Sequence, residues 1–264
     1  MVVDWNASRE DWITAVCTSL IPKLNSDARF DRSGELIARF HHEIDVWRGN
    51  NVFRPVIEFG NELAAAEWIL STMSASDKLI YEPPMAGTQK RLDFLKLNQH
   101  GVREWVEVKT VSPQWVDDEA GWNRFLEISN DFPENAGLIV DKEWSGAAVA
   151  GQAFKARWTF IQKTIDVEDR AGYIPCDMSG PVWLLFCSTG GNWHKDELED
   201  FADLYRTGHP RTDDWAQNMT VRYMQDRGLV FNRSLAGFHY LERKHCDVSS
   251  NNCLWNLRGP NFGA

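Results

Sequence analysis

The sequence lacks any apolar run long enough to cross a membrane. No stretch of about eighteen apolar residues occurs in the chain. The amino terminus, MVVDWNASREDW, also has no basic region followed by an apolar core, which a secretory signal would need. We therefore expect a protein without a membrane partner that works in the cytoplasm.

Cysteine is scarce and unpaired in the sequence. The five cysteines are scattered at Cys17, Cys176, Cys187, Cys246 and Cys253. An odd number without regular spacing excludes a disulfide framework, and reduced thiols are expected. His245, Cys246 and Cys253 lie near one another in the sequence, but their spacing matches no paired-cysteine zinc pattern. A zinc site is therefore not predicted.

Positive charge is also in short supply, since the formal net charge is −10 at pH 7. This balance argues against a general basic surface for phosphate backbones, although a local basic groove is still allowed. The sequence has no phosphate-binding loop, no dinucleotide fingerprint and no serine nucleophile elbow. The thirteen tryptophans are expected to fill a core or an interface.

Hydrophobic periodicity predicts the secondary structure. Helices are expected at 8–24, 33–48, 59–72, 145–167, 196–205 and 215–227. Strands are expected at 79–81, in a hairpin within 91–110, at 181–188 and at 238–241. This order predicts an α/β protein with a mixed central sheet flanked by helices. We expect an N-terminal helical extension (1–52), an α/β core (53–206) and a C-terminal α+β addition (207–264).

The hairpin RLDFLKLNQHGVREWVEVKT is the most informative stretch of the sequence. Apolar residues alternate along both strands, and the turn between them contains Gly101, which can adopt positive φ. Because side chains alternate between faces, Glu107 and Lys109 point the same way. Asp93 on the first strand can approach Glu107 across the hairpin. Two carboxylates can bind a hard cation such as Mg²⁺, and a nearby lysine can orient water or stabilise negative charge.

This arrangement resembles the PD-(D/E)XK nuclease superfamily. Asp93 is followed, after thirteen residues, by Glu107-Val108-Lys109, and the Pro-Asp of the family stands here as Leu92-Asp93. The family also places a glutamate on a helix before the hairpin. Glu62 and Glu67 are the candidates, and Glu62 is favoured because it lies on the apolar stripe of helix 59–72.

The resemblance implies a restriction-endonuclease-like core and a metal-dependent endonuclease, acting on DNA in restriction or defence. Asp93 and Glu107 would bind Mg²⁺ or Mn²⁺, and Glu62 would help directly or through water. Lys109 would position the attacking water or offset the charge of the pentavalent state. Whether the enzyme acts as a homodimer or within a protein complex stays open.

Four further residues are candidate substrate contacts. Lys90 and Arg91 come just before Asp93 and could contact phosphates. In relatives of the superfamily, the helix after the Glu-x-Lys strand contributes a glutamine or lysine to the site. Gln152 and Lys155 are the corresponding positions here.

Two other interpretations of the sequence remain open. In one, the protein keeps a nuclease-like sheet but serves as a protein-binding or assembly module, which the acidic balance and the tryptophan content favour. In the other, Glu107 and Lys109 are an ordinary ion pair on an exposed strand. A positive groove beside a negative pocket would favour the nuclease, and a flat acidic face with exposed tryptophan would favour the binding module.

Overall fold

The structure, a computed structural model, describes residues 9–85, 91–111, 149–188 and 195–242, and two short strands at 256–257 and 262–263. Lys90 lies outside these ranges, as do the residues weighed for zinc: His245, Cys246 and Cys253. Within the ranges, none of the helices is both long and apolar enough to cross a bilayer.

The amino-terminal part of the described chain is helical, as predicted. It consists of α1 (Arg9–Ala15), a π-helical turn (Val16–Leu20), α2 (Ile21–Ser26), α3 (Ser33–Asn50) and α4 (Arg54–Thr72). Helix α4 begins five residues before the predicted start at position 59. The reason is that Pro55 stands in the first helical turn, where its missing N–H costs nothing.

The strands form one mixed sheet. They are β1 (Phe30–Asp31), β2 (Lys78–Tyr81), β3 (Phe94–Leu97), β4 (Arg103–Val111), β5 (Val182–Ser188), β6 (Gly237–Glu242), β7 (Asn256–Leu257) and β8 (Phe262–Gly263). The order is β1 to β7 in sequence, with β8 also paired to β6. Strands β2, β3 and β4 are antiparallel neighbours, whereas β4, β5 and β6 run parallel. The strand predicted at residues 79–81 is present as β2, and it is not an edge strand because β1 pairs with its outer side.

The two sheet faces pack against different helices. Along β5, Leu184 and Phe186 enter one core, while Leu185 and Cys187 enter the other. This alternation follows from the period of two in an extended strand. Helices α1 to α4 cover the face of Leu185, and the helices of the second half cover the face of Leu184. The predicted α/β class with a mixed sheet flanked by helices is therefore confirmed.

The second half contributes α5 (Val149–Ala171), α6 (Lys195–Thr207) and α7 (Trp215–Asp226). Helix α5 connects the parallel strands β4 and β5 and continues four residues beyond the predicted end at 167. Behind it, the buried carboxylate of Glu168 accepts hydrogen bonds from Tyr205 Oη at 2.7 Å and from the amides of Asn232 and Ser234 at 2.8 and 3.0 Å. These bonds fix the segment before β6 against α5.

The predicted domain boundaries at 52 and 206 stay a prediction. Strand β1 belongs to the predicted N-terminal extension and pairs with β2 of the core. Strand β6 belongs to the predicted C-terminal addition and pairs with β5 of the core. Both flanking segments therefore contribute strands to the same sheet.

Two helical glycines offer a direct test of the packing of α1 on α4. A Cβ at Gly60 would overlap the Trp12 ring, whereas a Cβ at Gly49 would meet no atom within 4 Å. We expect Gly60→Ala to lower the free energy of unfolding by about 1–3 kcal/mol through overpacking. Gly49→Ala should raise it by up to about 1 kcal/mol through helix propensity. Urea denaturation followed by circular dichroism measures both, and equal stability of the two variants would contradict this packing.

Candidate functional site

The hairpin register brings Asp93 next to Glu107. Phe94 pairs with Val106, and Asp93 immediately precedes β3. The amide of Asp93 donates a hydrogen bond to Oε2 of Glu107 at 3.0 Å. In return, Oδ2 of Asp93 accepts one from the amide of Val108 at 2.7 Å. Each of the two carboxylates therefore accepts a hydrogen bond from a backbone amide of the other segment, at the position where the sequence predicts the site.

Glu107 is a fully buried carboxylate, with no exposed surface. Burying a charge in this way is expensive unless it is paired and hydrogen-bonded. Three donors meet the requirement: the Asp93 amide, the Lys109 ammonium, which contacts Oε1, and Nη1 of Arg170, which lies 2.6 Å from Oε1. Glu107 and Lys109 are therefore not an exposed surface pair, and that interpretation of the sequence is wrong.

Arg170 is the site residue that sequence reasoning missed. It lies in the last turn of α5, pairs with Asp166 one turn earlier and donates to the carbonyl of Arg91 at 3.2 Å. In the sequence, Asp166 and Arg170 have the spacing of an ordinary helix-surface ion pair. Only the return of α5 toward β4 brings Arg170 to Glu107, and no local signal marks that approach.

Glu62 approaches the same cluster from the helix α4. Its Oε2 accepts a hydrogen bond from Tyr81 Oη at 3.0 Å, and Nη1 of Arg39 lies 3.1 Å from the same hydroxyl. Glu67, the other candidate, instead pairs with Lys23 at 2.8 Å with both side chains substantially exposed. The geometry thus brings Glu62, and not Glu67, toward the hairpin acids.

Burial and mutual repulsion raise the pKa values of Asp93 and Glu62. Desolvation and then the nearby Glu107 charge raise the pKa of Asp93 to about 7. Desolvation, followed by the charge of Asp93, also raises the pKa of Glu62 well above its usual range. For Lys109, burial lowers the pKa, but the charges of Glu107 and Asp93 outweigh this effect and the pKa is raised overall. Lys109 is therefore a cation at neutral pH.

The structure describes the four predicted substrate contacts to different extents. Arg91 lies 3.6 Å from the Glu82 carboxylate, and Lys90 is not among the described residues. Gln152 and Lys155 belong to the first turns of α5, and their side chains are likewise not described. At the helical rise, their backbones are about 22–27 Å along the axis from Arg170. The helix geometry does not support a contribution of either residue to the Glu107 pocket.

The carboxylates of Asp93, Glu107 and Glu62 are the groups that could bind a hard cation such as Mg²⁺. Over the ranges that the structure describes, no three histidine, cysteine, aspartate or glutamate side chains group as a possible metal site. Mg²⁺, however, commonly uses only one or two protein carboxylates and takes its other ligands from water and substrate phosphates. Asp93 and Glu107 supply two carboxylates of this kind, and burial first and the nearby Glu107 charge second raise the pKa of Asp93.

Comparison with family models, with curated proteins and with solved structures finds no match to this chain. The assignment of the site therefore depends on its own geometry and chemistry.

The raised pKa of Asp93 predicts how stability depends on pH when a chelator is present. A carboxyl with a pKa of 3.8 when unfolded and about 7 when folded binds more protons in the native state. Its contribution to stability is therefore lost as pH rises from 4 to 7. Asp93→Asn should gain about 2–4 kcal/mol relative to the wild type between pH 4 and pH 8, measured by urea denaturation.

Asp27 provides a control of opposite sign for this measurement. Its hydrogen bonds to Arg29 lower its pKa, despite some burial. The stability that Asp27 contributes is present above its unfolded pKa of 3.8 and is lost as pH falls below it, so Asp27→Asn should be less stable than the wild type by a nearly constant amount between pH 4 and pH 8. If Asp93→Asn shows the same pH trend as Asp27→Asn, then the burial and repulsion described for Asp93 are wrong.

Proposed function

We propose that the protein is a metal-dependent nuclease that hydrolyses phosphodiester bonds, with DNA as its substrate. The observation that carries this proposal is the interlocked pair of Asp93 and Glu107, with Lys109 and Arg170 held against the Glu107 carboxylate. In this largely buried site, the two acids could bind a metal ion, and the two basic side chains could orient water and contact a phosphate group.

The order of elements supports a restriction-endonuclease-like core as part of this proposal. A helix carrying the upstream acid, α4, precedes three antiparallel strands, β2 to β4. Helix α5 then leads to β5, which runs parallel to the strand of Glu107 and Lys109. This order agrees with the resemblance from which the site residues were selected.

Asp93 and Glu107 would hold Mg²⁺ or Mn²⁺. A bound divalent cation supplies Lewis-acid polarisation of the phosphoryl group and a bound water of lowered pKa. Binding would also relieve the repulsion between the two carboxylates, which raises the pKa of Asp93. Glu62, oriented by the Tyr81 hydroxyl at 3.0 Å, would accept a hydrogen bond from water on the helix side of the site.

The two cations have an electrostatic role in this proposal. Because Lys109 keeps its proton at neutral pH, it would orient water and offset charge on the pentavalent phosphorus, and would not act as a base. Arg170 can donate several N–H groups from a planar fork, which suits phosphate oxygens. Both would also maintain the Glu107 carboxylate in its orientation.

One observation favours the second candidate, a protein-binding or assembly module. The Trp215 side chain is 68% exposed and lines a shallow cleft with Arg211, Asp213 and Asp214. Among the other described tryptophans, Trp12, Trp47 and Trp105 are buried in the core. A single exposed tryptophan makes a small contact surface, so the buried charged cluster supports the nuclease more strongly.

Substitutions at the cluster should abolish metal-dependent cleavage without unfolding the protein. We expect Asp93→Ala, Glu107→Gln and Lys109→Met each to lower the cleavage rate of plasmid DNA with Mg²⁺ or Mn²⁺ by at least about 100-fold. Circular dichroism and thermal melting should report a folded protein in each case. Robust cleavage by purified Asp93→Ala would reject the assignment.

Matched controls come from the same elements. Glu67→Gln removes a carboxylate from the helix that carries Glu62, and Lys96→Met removes a cation from the hairpin that carries Lys109. Both residues form partly exposed ion pairs, with Lys23 and Glu104 respectively. Both variants should cleave at the wild-type rate, because exposed pairs contribute little and neither contacts the cluster.

A further inference from the structure

Three arginines surround Glu82 at the end of β2. Arg39 on α3 binds both carboxylate oxygens of Glu82, through a contact of Nη1 with Oε1 and a bond of Nη2 to Oε2 at 2.8 Å. Arg91 lies 3.6 Å from Oε2 and donates to the Glu82 carbonyl at 3.4 Å. Arg32 contacts the same carbonyl and donates to the Tyr81 carbonyl at 3.0 Å. We call Arg32, Arg39 and Arg91 the arginine cluster.

Glu82 is held in an unusual conformation by these contacts. Its φ is +39°, in the left-handed region that residues other than glycine seldom adopt. Its amide donates to the Asp93 carbonyl at 2.7 Å, so that the chain entering β3 is tied to the same point. The arginine cluster is thus organised around the backbone that leads directly to Asp93.

The arginine cluster borders the acidic pocket. The Tyr81 hydroxyl contacts Arg39 at 3.1 Å and Glu62 at 3.0 Å, so a single side chain separates an arginine from the acid on α4. On the other side, the Arg91 carbonyl accepts a bond from Arg170 at 3.2 Å, and Arg170 lies 2.6 Å from Glu107. Three arginines therefore lie beside the acidic pocket.

Three guanidinium groups lie close together at this surface, although the whole chain has a formal net charge of −10 and the charge of Asp31 also acts on Arg32. Besides Glu82, the ion pairs of the arginine cluster involve one further carboxylate, that of Glu35, which Arg32 binds. Side-chain exposure is 42% for Arg39, 39% for Arg91 and 25% for Arg32. The guanidinium groups are thus held in place by Glu82 and are still accessible to a ligand.

We propose that the arginine cluster binds the phosphate backbone of the nucleic-acid strand that enters the pocket. This inference rests on the proposed nuclease function and identifies a surface through which an acidic protein would hold a polyanion. A guanidinium has five N–H donors, so an arginine held by a carboxylate can still donate its remaining N–H groups to phosphate oxygens, and an arginine fixed in advance loses less freedom on binding than a mobile one. Glu82 acts as a positioning residue that orients the three forks. Such contacts fix the register of the strand and do not read its sequence.

The test measures binding separately from cleavage. Labelled DNA, as a duplex and as one of its strands, is titrated with protein in a chelating buffer at several salt concentrations, and fluorescence anisotropy gives Kd. We expect Arg39→Gln and Arg91→Gln each to raise Kd about tenfold in low salt. The slope of log Kd against log salt should fall by about 0.7–0.9 for each phosphate that the variant no longer neutralises.

Arg48→Gln is the matched control, because Arg48 lies on the same helix as Arg39 and forms an exposed ion pair with Glu10 at 2.8 Å. Its Kd and salt slope should equal those of the wild type. Circular dichroism checks that each variant folds. If Arg39→Gln does not fold, Arg91→Gln alone provides the test. Wild-type affinity and slope in the Arg39 and Arg91 variants would overturn the proposal, as would the absence of DNA binding by the wild type.

The outcome is distinguishable from that of the proposed function. If the arginine variants bind normally while Asp93→Ala loses cleavage, the phosphate surface is rejected and the nuclease assignment is retained. If the arginine variants lose binding while the wild type cleaves no DNA with Mg²⁺ or Mn²⁺, the surface is supported and the nuclease assignment falls. Weak binding of Arg48→Gln, equal to that of Arg39→Gln, would also reject the surface, because net charge alone would then explain the effect.

Discussion

The buried carboxylate of Glu107 is the constraint on which the rest of the site depends. A charge with no exposed surface must be compensated by donors within the protein. The compensation comes from three separate elements: the amide of Asp93 before β3, Lys109 on β4 and Arg170 at the end of α5. The site therefore forms only when the hairpin and the crossover helix have both reached their final positions.

Strand pairing in the sheet changes from antiparallel to parallel at β4, and this change positions the groups of the site. The antiparallel β3 and β4 place Asp93 beside Glu107, and the parallel step from β4 to β5 requires the long helix whose last turn carries Arg170. Helix α4 covers the opposite face and supplies Glu62. The acids thus come from three different elements that meet at one edge of the hairpin. Loss of the hairpin contact or of α5 would remove a donor from the buried Glu107 carboxylate.

The hairpin part of the site could be predicted from the sequence because its determinants are local. Alternating apolar residues and the turn at Gly101, whose φ is +77°, set the register that brings Asp93 to Glu107. Glu62 could be preferred to Glu67 because a carboxylate on the apolar stripe must face the core. Arg170 could not be found, since its approach depends on where α5 ends over the sheet. Gln152 and Lys155 were selected from the resemblance, and they lie at the other end of that helix from Arg170.

Calorimetric titration of the protein with Mg²⁺ is the measurement that tests the central claim most directly. We predict saturable binding to the wild type and to Glu67→Gln, and no binding to the double variant with Asp93→Asn and Glu107→Gln. Circular dichroism of the same samples would establish that the double variant is folded. Equal binding by the wild type and the double variant, or no binding by a folded wild type, would contradict the claim that these two carboxylates form a cation site.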